Sequence, residues 1–317
     1  MSKNTDAVVR LLSDSYKAGL EAKPEGQRPT TLPLARREIS VTGNLPSVAD
    51  LEEIARVTRL NVLTMISGAG SGHPGSSLSA VDLIVALYFW KMHHRPDDPR
   101  WAERDRFILS KGHAAPALYA VLAEAGYFSA TKLSTLRKMD SILQGHPDTV
   151  TPGVDVMTGS LGQGLSVANG IALASRLHRK SFRVYVLLGD GECDEGQVWE
   201  AAMTAAHYKL DNITIIIDRN MLQSDGATET VKSKEPLPEK WRAFGWNVLE
   251  VDGHNFPQIL SALNLAEAKK GAPTVIIAKT VKGKGVSFME GNGQFHSNAI
   301  GQELLSRALY EIESSKV

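Results

Sequence analysis

Four short apolar segments, separated by stretches with helical periodicity, constrain the fold of this chain more than any other feature of its sequence. They span residues 184–188, 213–217, 246–251 and 274–278, and a shorter apolar run, Phe107-Ile108-Leu109, precedes them. Largely apolar runs of this kind are typical of parallel strands, which helices cover on both faces of the sheet. The pattern therefore predicts an α/β fold with a doubly wound, mostly parallel sheet. In open sheets of this class, ligands bind beyond the carboxyl ends of the strands.

Helical segments are predicted around these strands. The first begins at Ser47, a suitable N-cap, and ends near residue 67. Residues 1–23 have the periodicity of one amphipathic helix, whereas 24–46 contain several prolines and no sustained period. We therefore predict an N-terminal helix and extended arm over 1–46 and a single α/β domain over 47–317. Further helices are predicted over 79–90, 114–125, 161–177, 196–209, 238–244, 256–269 and 302–314.

Composition and charge disfavour several classes of function. The chain has 35 basic and 35 acidic residues, so it has no general positive field for nucleic acid or an anionic membrane. No apolar stretch approaches the roughly 18 residues of a membrane span, and the start lacks the core of a signal peptide. Cys193 is the only cysteine, which excludes an intrachain disulfide and indicates a reducing compartment. We therefore expect a cytoplasmic protein that acts on small molecules or binds protein partners.

Polar residues directly follow two of the predicted strands. Gly189-Asp190-Gly191-Glu192 comes after the 184–188 run, and Asp218-Arg219-Asn220 ends the 213–217 run. Because the ends of neighbouring parallel strands meet at one edge, Asp190 and Asn220 can converge on a single hard cation. Such a cation prefers oxygen ligands and is usually bound together with phosphate. The pattern predicts a metal–diphosphate site, and it differs from both the Walker loop and the dinucleotide-binding glycine motif.

Histidines lie in several loops that contain glycine. An imidazole in such a loop can bind phosphate or sugar hydroxyls and can move protons near neutral pH. The histidine spacing does not fit a zinc motif. A further glycine-rich segment, Thr158-Gly159-Ser160-Leu161-Gly162-Gln163-Gly164, precedes a predicted helix, so its amides can approach a charged ligand. The histidine loops are Ser71-Gly72-His73-Pro74-Gly75, Ser110-Lys111-Gly112-His113, Gly145-His146-Pro147-Asp148 and Phe295-His296.

In this order, the motifs resemble those of transketolase, a thiamine-diphosphate enzyme, in the half that binds the cofactor diphosphate. The resemblance covers about residues 47–300 and includes the histidine loops, the 159–164 turn, and the segments 189–196 and 218–226. It implies the thiamine-diphosphate-binding fold, with thiamine diphosphate and Mg²⁺, or another divalent cation such as Ca²⁺ or Mn²⁺, as cofactors. It also implies transfer of a two-carbon ketol unit from a ketose, commonly a ketose phosphate, to an aldose.

The resemblance implies a role for each matching residue. The metal ligands are the side chains of Asp190 and Asn220 and the main-chain carbonyl of Leu222. The substrate-facing groups that handle protons are His73, His146 and His296, and Ser297 stands where the family usually has glycine after that last histidine. Glu195 is expected near a subunit contact that activates the cofactor. The expected cofactor contacts are His113, Gly159, Ser160, Leu161, Asp190, Gly191, Glu192, Asn220 and His296.

The domains of transketolase beyond this half have no match here. The family places in its second domain the glutamate that protonates the cofactor's pyrimidine, and no residue of this chain takes that role. We therefore expect the N-terminal subunit of a two-chain transketolase, completed by a C-terminal subunit in an α2β2 assembly. Two alternatives stay open: a subunit of a 2-oxo-acid dehydrogenase or another ketol or acyl transferase, and a non-catalytic protein that binds thiamine diphosphate. A metal-dependent phosphatase is disfavoured, because Glu192 stands where a second aspartate would be needed.

Overall fold

One parallel sheet organises the part of the chain that the computed structural model describes, residues 45–224 and 226–314. The predicted N-terminal helix and nearly all of the arm lie outside these residues. The strand order is β1-β2-β3-β5-β4, and every neighbouring pair is parallel. The predicted parallel sheet is therefore confirmed, with each strand on a predicted apolar run. The strands are β1 (Arg106–Leu109), β2 (Val184–Gly189), β3 (Ile213–Arg219), β4 (Asn247–Asp252) and β5 (Thr274–Lys279).

Nine α-helices connect and cover the strands within the described residues. Ser47 caps the first helix as predicted, and it forms a reciprocal capping box with Asp50. The predicted start of the second helix at residue 79 is wrong. That helix begins at Pro74, because proline fits the first helical turn and lacks the amide that would be unpaired there. The helices are α1 (Val48–Ala69), α2 (Pro74–Ala86), α3 (Ala115–Glu124), α4 (Gln163–Leu177), α5 (Gly196–His207), α6 (Thr228–Val231), α7 (Leu237–Ala243), α8 (Phe256–Ala268) and α9 (Gln302–Ser314).

The side chains of each strand point alternately to the two faces of the sheet, and each face has its own hydrophobic core. Tyr185 and Leu187 of β2 belong to the cluster that contains residues of α1, α2, α3, α8 and α9. Val186 and Leu188 belong to the opposite cluster, with residues of α4, α5 and α7. Successive side chains of a strand point to opposite faces, so two-sided burial needs apolar residues at nearly every position. This arrangement confirms that the sheet is doubly wound.

The carboxyl ends of the strands place polar residues along one edge of the sheet. β1 leads into Ser110 and Lys111, β2 into Asp190, β3 into Asn220, and β5 into the segment that carries Lys282. The apolar strands thus hold these side chains on a rigid frame. Among the helices of the described residues, none is both long and apolar enough to cross a membrane.

Candidate functional site

The end of β2 carries the aspartate that the sequence predicts as a metal ligand. Asp190 is 2% exposed, and its carboxylate accepts hydrogen bonds from the amides of Gly191 (2.8 Å) and Met221 (2.7 Å). The guanidinium of Arg219 also donates to it, at 3.2 Å. Burial raises the pKa of Asp190, and the negative charge of Asp218 raises it further. A cation beside a buried carboxylate with a raised pKa stabilises the charged form of that carboxylate.

The end of β3 brings the two other expected ligands to the same edge. Gly189 pairs with Asp218 in the sheet register, so Asn220 follows β3 beside the Asp190 turn. Oδ1 of Asn220 accepts from the amide of Leu222 at 3.2 Å. Carboxylate, amide and carbonyl oxygens form the donor set that a hard cation prefers, so these residues fit Mg²⁺. No three His, Cys, Asp or Glu side chains of the described residues group to hold a metal, so a cation here depends on the amide and carbonyl oxygens.

A buried lysine that the sequence motifs did not reveal reaches this point from the segment after β5. Lys282 is 1% exposed, and its Nζ atom donates to the carbonyl oxygen of Leu222 and to Nδ1 of His296, each at 2.8 Å. Burial lowers the pKa of Lys282 to about 8, and the charge of Lys111 also lowers it. An ammonium held by two neutral groups is suited to binding an anion such as a diphosphate. Lys282 lies three residues beyond the end of β5, whereas Asp190 and Asn220 follow their strands directly, so the sequence gives a weaker signal for the lysine.

A second buried lysine belongs to the frame beneath the site. Lys111 forms an ion pair with Asp218, which is fully buried in β3. Asp218 also accepts hydrogen bonds from Ser79 of α2, at 2.6 Å, and from Thr280 after β5. Burial favours a higher pKa for Asp218, but the charge and hydrogen bond of Lys111 outweigh it, and the pKa lies below its ordinary value. This network ties the ends of β1, β3 and β5 together and fixes the floor of the site.

Three of the predicted histidines converge beside Lys282. The ring centres of His73 and His113 lie 5.1 Å apart, and His296 lies 5.7 Å from the first and 5.4 Å from the second. Burial lowers the pKa of His73 to about 4 and that of His296 to about 3, and nearby cations contribute to both shifts. Burial also lowers the pKa of His113 well below its ordinary value. All three imidazoles are therefore neutral at pH 7.

The hydrogen bonds of His296 determine which of its ring nitrogens carries the proton. The Lys282 ammonium has only protons to donate, so Nδ1 of His296 is the acceptor and Nε2 carries the hydrogen. Nε2 lies 3.1 Å from the hydroxyl oxygen of Ser224. Nδ1 of His73, by contrast, is buried and has no hydrogen-bond partner among the described residues. A buried nitrogen without a partner is stabilised by a bound group that forms a hydrogen bond with it.

The fourth predicted histidine lies next to the glycine-rich turn, and it makes no ring contact with the other three among the described residues. A Cβ atom on Gly159 would lie 3.1 Å from the His146 ring, and the φ of 151° at this position also favours glycine. Arg137, also missed from the sequence, donates to Ser71 at 3.1 Å. Its charge lowers the pKa of both His73 and His146, after the larger effect of burial. The loops of His73 and His146 therefore share a positively charged neighbour.

The turn before α4 and the turn before α5 are held together by Glu192. Its carboxylate accepts hydrogen bonds from the amides of Gly162 (2.9 Å) and Gly189 (3.0 Å) and from the hydroxyl of Ser110. Both oxygens of Glu192 are thus bound within the chain, so its placement differs from the expected direct cofactor contact. The side chains of Ser160 and Glu195 are exposed, and Leu161 is partly exposed. Gly191 is partly exposed beside Asp190.

The sheet defines a doubly wound α/β protein, and its carboxyl edge brings together the oxygen atoms, histidines and buried lysine described above. The chain belongs to the transketolase family, because residues 51–311 match the domain described as "Transketolase, thiamine diphosphate binding domain". The match agrees with the resemblance inferred from the motifs. Thiamine diphosphate binding is therefore the property of the matched domain.

Similar proteins include both separate subunits and longer chains. The 6-deoxy-6-sulfo-D-fructose transketolase subunit SqwG of Clostridium sp. (strain MSTE9) is 46% identical over 83% of this chain and 96% of its own length. An apulose-4-phosphate transketolase subunit of Phocaeicola vulgatus is 42% identical over 84% of this chain and 94% of its own. The transketolase structure from Campylobacter jejuni superposes with a TM-score of 0.81 at 34% identity. That match covers 84% of this chain and 43% of the longer one.

Proposed function

We propose that this chain is the cofactor-binding, N-terminal subunit of a two-chain transketolase. In this role it binds thiamine diphosphate through a divalent cation and works with a C-terminal subunit to transfer a two-carbon ketol unit from a ketose to an aldose. The two subunit relatives support the two-chain arrangement, because this chain covers 96% and 94% of their lengths.

One observation carries the proposal: the convergence of oxygen ligands and a buried cation at the ends of β2, β3 and β5. Asp190, Asn220 and the carbonyl of Leu222 would hold Mg²⁺, or Ca²⁺ or Mn²⁺ in its place. Lys282 would donate to the diphosphate, and it already contacts the Leu222 carbonyl at 2.8 Å. Cation and lysine together would neutralise charge that is costly to bury.

The remaining cofactor contacts follow from the surrounding turns. His113 and the turns that contain Gly159, Ser160, Leu161 and Gly191 would contact the cofactor. Glu192 would act indirectly, because its bonds to Gly162 and Gly189 hold two of these turns in place. Thiamine diphosphate, when bound, supplies the carbon nucleophile that carries the two-carbon unit.

The histidines would bind the sugar and move its protons. His73 offers a buried, unpaired Nδ1 that can form a hydrogen bond with a sugar hydroxyl, and its pKa of about 4 keeps the ring neutral at pH 7. His296 presents an Nε2 hydrogen that can donate to a sugar oxygen, because its other nitrogen is bound by Lys282. His146 would contact the sugar from the side of the 159–161 turn.

We further propose that the sugar carries an anionic group. The names of both subunit relatives contain such a group, a sulfonate in one and a phosphate in the other. Arg137 supports this extension, because its guanidinium lies close enough to lower the pKa of His73 and His146. Arginine binds sulfonate and phosphate oxygens through its planar fork of donors.

The assembly and compartment are part of the same proposal. Glu195 is exposed at the start of α5 and would contact a partner subunit, in an α2β2 complex that encloses the cofactor. The single cysteine, Cys193, is buried and is compatible with the reducing cytoplasm.

The decisive experiment is to purify the native complex through a tag on this chain and to assay ketose–aldose exchange with added thiamine diphosphate and Mg²⁺. We expect exchange by the complex and none by this chain alone. Parallel assays with a sulfo-ketose, a phospho-ketose and a neutral ketose would identify the terminal group. Turnover by this chain alone would reject the two-chain arrangement, and cofactor binding without exchange would favour the non-catalytic alternative.

A further inference from the structure

A relay of polar side chains connects α1 and α2 with the segment that carries Lys282. Arg59 donates to Asp82 at 2.6 Å, and Nδ1 of His254 bonds to the same carboxylate, also at 2.6 Å. The other ring nitrogen, Nε2, accepts from the main-chain amide of Val281 at 2.8 Å. The side chains of Arg59, Asp82 and His254 are only 10%, 6% and 12% exposed. His254 therefore bridges a buried carboxylate and the residue directly before Lys282.

The bonding pattern requires one particular form of His254. The Val281 amide can only donate, so Nε2 must be unprotonated, and Nδ1 carries the hydrogen that is donated to Asp82. Burial favours a higher pKa for Asp82, but the charge of Arg59 and the hydrogen bond from His254 outweigh it, and the pKa lies below its ordinary value. Asp82 is thus an ionised acceptor that orients the ring.

We propose that His254 is a positioning residue for the cofactor site. By accepting the Val281 amide, it fixes the main chain that directs Lys282 towards Leu222 and His296. The inference rests on the proposed function, because it assigns Lys282 to the diphosphate. No substrate or cofactor atom is expected to touch His254 itself.

Hydrogen bonds on both sides of Val281 explain why its amide can fix the main chain that carries Lys282. On one side of Val281, the Thr280 amide donates to the Arg219 carbonyl at 3.1 Å. On the other, the Gly283 amide donates to the Gly75 carbonyl at 3.0 Å. Between these anchors, His254 holds the Val281 amide, and the next residue, Lys282, contacts Leu222 and His296.

Two substitutions separate the two hydrogen bonds of the ring. His254→Gln places an acceptor near the position of Nε2 and can keep the bond to Val281. His254→Asn places a donor near the position of Nδ1 and can keep the bond to Asp82, but it cannot reach Val281. A role in positioning Lys282 predicts that glutamine preserves cofactor binding, whereas a role limited to the hydrogen bond with Asp82 predicts that asparagine does.

The test measures hydrogen exchange of the amides at 281–283 in the full-length chain, and the dissociation constant of thiamine diphosphate with Mg²⁺ in the complex with its partner. For His254→Asn we expect faster exchange and about fivefold to tenfold weaker cofactor binding, the effect of one lost hydrogen bond. For His254→Gln we expect values within about twofold of the wild type, because the bond to Val281 is kept. Urea unfolding midpoints confirm that each variant is folded under the conditions of the assay.

Two outcomes would overturn the positioning role: cofactor affinity in His254→Asn equal to that of the wild type, or an equal loss in both variants. The proposed function fails in a different way. If the wild-type complex does not bind thiamine diphosphate, the assignment of the site to that cofactor is refuted, whatever the exchange rates of the variants.

Discussion

Burial sets the protonation state of the site histidines residue by residue. His73 and His296 come from different segments, yet each loses water on packing against the other, and each lies near cations. Their pKa values of about 4 and about 3 are far below the ordinary value for histidine, about 6.5. The same burial that makes them neutral bases at pH 7 makes the fold sensitive to acid.

We predict that the stability of the unliganded full-length chain falls as the pH decreases from about 6.5 towards about 4. In this range the histidines of the unfolded chain bind protons more readily than His73, His113 and His296 in the folded chain, so acid favours unfolding. Urea unfolding midpoints measured at intervals of half a pH unit test this. His73→Gln should reduce the slope in this range, and an unchanged slope in that variant would show that His73 does not titrate as described.

A second prediction concerns the carboxylate at the end of β2. Asp190→Asn keeps the shape of the side chain but removes its charge. We expect Mg²⁺-dependent binding of thiamine diphosphate to weaken by at least about 100-fold, because substitution of residues that only support a metal ligand already lowers metal affinity about 10–100-fold. Isothermal titration of the complex measures this. Asp194→Asn is the matched control, because Asp194 pairs with Lys234 at 2.7 Å and is not an expected ligand. Equal binding by the two variants would contradict the metal assignment.

At the scale of elements, the segment after β3 is fastened to the sheet by one buried arginine. Arg219 is 3% exposed, and its guanidinium bonds to Asp190 (3.2 Å), Glu229 (2.9 Å) and Glu235 (2.8 Å). Thr228 accepts from it as well, at 2.8 Å. These bonds join the β2 end, α6 and the start of α7. The arginine thus couples an expected metal ligand to the loop beside it.

We predict that Arg219→Met destabilises the chain by about 3 kcal/mol, because it leaves buried Asp190 without its cation. Arg242→Met is the control: that side chain is 49% exposed and pairs with Glu239, so its loss should cost less than about 1 kcal/mol. Chemical denaturation without metal measures both values. Similar, small losses in the two variants would show that Arg219 contributes little to stability.

The elements also show what the sequence could reveal. Strand ends with Asp190 and Asn220 were predictable, because an apolar run ending in a polar residue is a local pattern. Lys282 and Arg137 were missed because their roles depend on where distant segments meet: Lys282 bonds to Leu222, 60 positions away, and Arg137 to Ser71, 66 away. Glu192 was assigned to the cofactor, although its oxygens are used by Gly162 and Gly189. That use depends on the packing of two turns, which no periodicity encodes.

For the whole molecule, the turns before α4 and α5 lead to a surface that we expect to receive the proposed partner. These turns are in contact, since a Cβ atom on Gly162 would lie 2.7 Å from Cβ of Glu195. Beyond this contact, α4 exposes Val167 (39%) and α5 exposes Met203 (54%). α4 and α5 pack against each other, so their exposed apolar side chains can form a patch suited to protein contact.

We predict that this α4–α5 surface joins the subunits and that Val167→Glu weakens assembly by at least about tenfold, because burying an unpaired carboxylate costs more than about 1.4 kcal/mol. Leu265→Glu is the matched control, since Leu265 is 55% exposed on α8, which packs on the opposite face of the sheet. Light scattering of each variant mixed with the partner chain measures the assembly. Normal assembly of Val167→Glu, or impaired assembly of Leu265→Glu alone, would contradict the assignment of this surface. Because Glu195 lies at the same contact between turns, Glu195→Gln should lower exchange activity in complexes that still assemble.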